Sequence, residues 1–160
     1  MQLLRNNIFS LLGTLLFVWG VSACSGEDCP INNTVMGKMA FYGQDGEAGA
    51  LTTTITVSVV RPQGDSVVLN QKYNAAEVIF PMSYVREKDT IIFAYDNGVA
   101  YDSIYIGHTN APTLVSIDCG TAIFHTITSV SSTHHVIDTV IIKSTEVNYD
   151  ERENIQVIYP

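Results

Sequence analysis

The sequence is short of positive charge: 8 Lys and Arg stand against 16 Asp and Glu, a formal net charge of −8. An acidic surface repels phosphates, so no nucleic acid is expected as a partner. Charged residues make up only 15% of the chain, whereas 46% is hydrophobic. Disorder requires the opposite balance and is excluded. Chemical signatures are missing too, because the chain contains no Cys-x-x-Cys, no His-Glu-x-x-His and no Gly-x-Ser-x-Gly. No metal, cofactor or enzymatic activity is therefore expected. Sustained 3.6-residue periodicity is also absent, and with it any expectation of helices in the folded domain.

The one long apolar run, Ile8 to Trp19, follows Arg5 and has twelve residues. As a helix it would span about 18 Å, too short for the roughly 30 Å core of a bilayer. Residues 1–23 thus read as a secretory signal peptide. Val21-Ser22-Ala23-Cys24 resembles the bacterial lipobox, where small residues precede a cysteine that receives diacylglycerol and becomes the mature N-terminus. That resemblance implies lipidation of Cys24, a linker over 24–33 and a folded domain over 34–160. An ordinary secretory signal with a chance cysteine is the alternative. Ser25-Gly26-Glu27-Asp28 resembles the acidic tag that sends some Bacteroidetes lipoproteins to the cell surface, leaving the periplasmic and outer faces of the outer membrane both open.

Lipidation leaves two cysteines, Cys29 and Cys119. In an oxidising compartment the simplest outcome is a disulfide between them.

Short β-branched and aromatic runs recur between turn signals, which predicts an all-β domain. Strands are expected over 34–42, 51–60, 66–73, 77–80, 90–95, 99–107, 113–117, 122–128, 136–143 and 155–159. The clearest is the second, where Leu51, Thr53, Ile55, Val57 and Val59 alternate with Thr52, Thr54, Thr56 and Ser58. Such alternation marks a half-buried strand. Asn97-Gly98 predicts a type I′ hairpin that sets Tyr95 opposite Ala100 and Phe93 opposite Asp102. An aspartate among Ile91, Phe93, Ile104 and Ile106 is costly to bury, so a bulge or a strand break is expected at Asp102. Thr109-Asn110-Ala111-Pro112 predicts a second break. The spacing of these runs suits an antiparallel two-sheet sandwich, immunoglobulin-like, with a small barrel as alternative.

The order of landmarks resembles an uncharacterised family of small Bacteroidetes outer-membrane lipoproteins, a domain of unknown function. Those landmarks are Cys24 with Cys29, Asp89-Thr90-Ile91, Asp118-Cys119-Gly120, Ile137 to Ile142 and Asn154 to Tyr159. The resemblance implies a lipid-anchored β-sandwich with no assigned catalytic residues. An outer-membrane β-barrel protein is the partner it suggests.

Four triplets share an Asp-Ser/Thr-apolar pattern: those centred on Ser66, Thr90, Ser103 and Thr139. Composition alone predicts fewer than one. The pattern resembles a Bacteroidetes O-glycosylation acceptor, yet strands that begin with Ser or Thr after a turn aspartate produce it equally well. His108, His125, His134 and His135 have no ligand spacing, and His125, alternating with Ile123 and Ile127, is expected to be a hydrogen-bonded sheet residue. The acidic run Asp150-Glu151 with Glu153 and Asn154 lacks calcium-loop spacing and reads as solvated loop. Tyr101 and Tyr105 share a strand face and could stack on a sugar or a protein. The expected function is a non-enzymatic structural or accessory role in an outer-membrane complex, with the membrane engaged through the lipid. The alternative is an extracytoplasmic ligand- or glycan-binding module.

Overall fold

The computed structural model describes Cys29 and residues 34–160. The signal peptide, Cys24 and the acidic tag lie outside these residues.

The described chain is all-β. Ten strands run in order: β1 (Met36–Tyr42), β2 (Leu51–Val59), β3 (Ser66–Ala75), β4 (Glu77–Pro81), β5 (Lys88–Tyr95), β6 (Ala100–Ser116), β7 (Gly120–Ser132), β8 (Thr139–Ile142), β9 (Glu146–Val147) and β10 (Ile155–Ile158). They form a four-stranded sheet, β4-β1-β10-β8, and a six-stranded sheet, β3-β2-β5-β6-β7-β9. Pairing is antiparallel except between β1 and β10, which run parallel with Met39 beside Ile155 and Tyr42 beside Ile158. The β5-β6-β7 meander lies within one sheet, so the likeness to immunoglobulin domains extends to the two layers and not to the strand order.

Alternation decides which side chains fill the interior. Ile55, Val57 and Val59 of β2, Ile91 and Phe93 of β5, and Ile104 and Ile106 of β6 are buried from one sheet. Met39, Phe41, Phe80, Ile155 and Val157 are buried from the other. Phe41 meets Phe93 edge-on with ring centroids 6.2 Å apart, and the hydroxyls of Tyr95 and Tyr159 approach to 3.1 Å. Gly37 is required on β1, since a Cβ there would stand 2.6 Å from the Phe80 ring.

The β5–β6 register is as the Asn97-Gly98 signal predicts, with Tyr95 opposite Ala100 and Phe93 opposite Asp102. The turn itself uses three successive left-handed residues, Asp96, Asn97 and Gly98, rather than two. Neither a bulge nor a break occurs at Asp102, whose residue is 1% exposed. Its carboxylate accepts hydrogen bonds from Thr133 Oγ1 at 2.6 Å and from the backbone N–H groups of His135, Val136 and Ile137 at 2.9, 2.8 and 3.0 Å. Burial opposes its ionisation, but these donors outweigh burial and hold the carboxyl below its ordinary range.

The same donors explain why the strand expected from Val136 begins only at Thr139. Val136 and Ile137 direct their N–H groups to Asp102 instead of to a neighbouring strand.

The break expected at Thr109–Pro112 is absent, because β6 continues through it to Ser116 and Pro112 pairs with Ile123. Pairing with β5 ends at Gly107, so this half of β6 has a strand partner on one side only. An open edge is where a residue without an N–H can sit. Short β9 carries no run long enough to register as a strand in the sequence; buried Asn154 fastens it. Asn154 Oδ1 accepts from Lys38 N at 3.0 Å, while its Nδ2 donates to Glu146 O at 2.8 Å and Ser144 O at 3.3 Å.

Candidate functional site

A cleft of about 620 Å³ opens between the β2–β3 turn, the β4–β5 loop and the start of β7. Arg61, Met82, Tyr84, Val85, Ile123 and His125 are among its walls. Beneath it runs a chain of polar side chains that the sequence does not bring together. Asp89, 2% exposed, accepts from Arg61 Nη1 at 2.6 Å on one oxygen. Its other oxygen faces Ser83 N at 2.8 Å and His108 Nε2 at 3.0 Å. His108 Nδ1 lies 3.0 Å from Asn110 Oδ1, and His125 Nδ1 lies 2.7 Å from the same oxygen.

Proton accounting along this chain is constrained. Asn110 Nδ2 donates to Arg86 O at 3.0 Å, which orients the amide so that its oxygen meets both histidines. Asn110 Oδ1 and Asp89 Oδ2 thus stand at the two ring nitrogens of His108. His125 donates Nδ1–H to Asn110. Burial lowers the His125 pKa to about 4, helped by the charge of His108 and opposed by Asp89.

These groups hold the β4–β5 loop in place. Arg61 Nη2 reaches Pro81 O at 2.6 Å, Asp89 takes Ser83 N, and His108 N donates to Glu87 O at 3.0 Å. Among the described residues, no cluster of three or more His, Cys, Asp or Glu is arranged to hold a metal ion.

The second notable place is the tip of the β6–β7 hairpin. Cys119 is joined there to Cys29 by a disulfide, with Cα atoms 5.3 Å apart across 90 positions of sequence. Ile117 beside it is 94% exposed and Leu114 is 67% exposed.

Tyr101 and Tyr105 lie on the outer face of β6, 55% and 48% exposed, with half-buried Ser103 between them. Thr90 stands opposite Tyr105 across the ladder. Ser66 opens β3 and is exposed, whereas Thr139 opens β8 and is half-buried. Of the aspartates preceding these four hydroxyls, Asp89 and Asp102 are buried in hydrogen-bond networks; Asp65 and Asp138 are exposed. His134 Nδ1 lies 2.8 Å from Asp138 O, and His135 Nδ1 lies 3.3 Å from Asp102 Oδ1. Within the acidic run, Asp150 and Glu151 are exposed, but Glu153 bonds Tyr42 and Lys143 at 2.9 and 3.0 Å.

The model of a family of unknown function (DUF6452) matches residues 54–159. The chain belongs to this family. The DUF6452 match takes in most of β2 and everything to Tyr159, and so holds Asp89, Asp102, His108, Cys119 and Asn154. It begins after β1 and Cys29. No curated protein and no solved structure matches the chain.

Proposed function

We propose that this DUF6452 protein is a lipid-anchored envelope protein of the Bacteroidetes lipoprotein type, held at the outer membrane through Cys24. Its role is non-enzymatic, structural or accessory, within an outer-membrane complex that includes a β-barrel protein. The observation that carries the reading is the Cys29–Cys119 disulfide. It fastens the segment just downstream of the lipobox-like Val21-Ser22-Ala23-Cys24 onto the end of the sandwich, so that a lipid on Cys24 would restrain the whole domain. A non-enzymatic role is supported by the way the titratable groups at the cleft are spent. Both oxygens of Asp89 and both ring nitrogens of His108 are committed to neighbours that fix a loop.

Crosslinking in intact cells followed by mass spectrometry tests the accessory role. A β-barrel protein of the outer membrane recovered reproducibly with the chain supports it. Recovery of the chain alone contradicts it.

A second reading, a glycan-binding module, is favoured by one feature. Tyr101 and Tyr105 expose their rings on a sheet face that also carries Ser103 and Thr90, giving stacking surfaces beside hydroxyls. The same hydroxyls, with Ser66 and Thr139, are the proposed O-glycosylation positions, and intact-mass analysis of the exported protein reads their occupancy directly.

A further inference from the structure

The tip of the β6–β7 hairpin presents apolar side chains where turns ordinarily carry polar ones. Ile117 and Leu114 are 94% and 67% exposed, and neither belongs to the buried core. The turn is nonetheless well organised: Cys119 N donates to Ser116 Oγ at 3.0 Å, and Gly120 adopts a left-handed φ of 75°. Folding of the sandwich gives no reason for an isoleucine and a leucine there.

The chain upstream does give one. Cys24 is five residues from Cys29, and five extended residues reach at most about 18 Å. The disulfide then places Cys119 Cα only 5.3 Å from Cys29 Cα. A diacylglycerol on Cys24 would therefore hold the hairpin tip within one short tether of lipid headgroups. At the opposite end of the seventeen-residue β6 lies the β5–β6 turn with Val99, 84% exposed.

We propose that Leu114 and Ile117 insert shallowly into the bilayer interface and orient the domain with the β6–β7 tip down and the β5–β6 turn facing away. This rests on acylation of Cys24. The acidic neighbour Asp118 keeps the insertion at headgroup depth and favours zwitterionic over anionic lipid, since a buried carboxylate is costly and an anionic surface repels it.

The test uses the full acylated protein, purified from membranes and reconstituted on phosphatidylcholine vesicles. Trp19 is the only tryptophan and lies in the segment read as the signal peptide, so single tryptophans placed by Ile117→Trp, Leu114→Trp and Val99→Trp report without background. Both tip variants are expected to emit at shorter wavelength on vesicles and to lose about half their fluorescence to lipids spin-labelled near the headgroup, as shallow apolar insertion requires. Val99→Trp is expected to be unaffected. If the protein floats with the vesicles but the tip variants behave like Val99→Trp, tip insertion is overturned while the anchor stands. If the protein fails to float at all, the anchor and the insertion fall together.

Discussion

The carboxylate of Asp102 holds the backbone N–H of Ile137 at 3.0 Å across 35 positions of sequence, both residues buried. With Val136, His135 and Thr133 on the same carboxylate, one side chain on β6 closes the connection from β7 to β8. Replacing it strands several buried donors at once. Asp102→Ala is expected to destabilise the domain by about 3–5 kcal/mol, measured as a lowered urea midpoint. A change under about 1 kcal/mol would mean the donors find other partners.

Acid sensitivity follows from His125. The unfolded imidazole takes up a proton near pH 6.5, while burial delays protonation of the folded one until about pH 4. Below pH 6.5 the unfolded state binds more protons, so stability falls with pH through that window, by roughly 3 kcal/mol at its lower end. His125→Gln is expected to flatten the slope of melting temperature against pH between 6.5 and 4. An unchanged slope would assign it to other groups.

Loss of the disulfide acts mainly on the unfolded chain. Closing 90 positions restricts that ensemble enough that Cys119→Ser is expected to cost about 3–5 kcal/mol. Thermal unfolding with and without reductant measures it. Peptide mapping that finds free thiols at both positions would contradict the link.

Exposed tyrosines contribute little to the core. Tyr101→Ser with Tyr105→Ser is expected to leave stability within about 1 kcal/mol of the parent. Under the glycan reading the same pair of changes abolishes binding on a polysaccharide panel. A large stability loss would instead show that cross-strand packing holds these rings.

Much of the fold is legible in local pattern. The alternation of Leu51 to Val59 marks which face is buried, and Asn97-Gly98 sets the β5–β6 register to the residue. Legibility ends where partners are remote. Nothing near Asp102 announces that Thr133 to Ile137 will satisfy it, so a break is the natural expectation at that position. Asn154 looks like part of a solvated acidic loop, yet it is a buried fastening for β9. Likewise Arg61, Asp89, His108, Asn110 and His125 come from four separate segments, and only the sandwich brings them under one cleft. Pro112 misleads for a different reason: a proline ends a central strand but is accommodated on an open edge.

The proposed envelope role depends most on the lipid at Cys24. Cells grown with a clickable palmitate analogue supply the direct measurement. The expected result is label on the parent chain, none on Cys24→Ala, and release of that variant from the membrane fraction. An unlabelled parent chain, or equal label on both, would contradict the anchor and the envelope role argued from it.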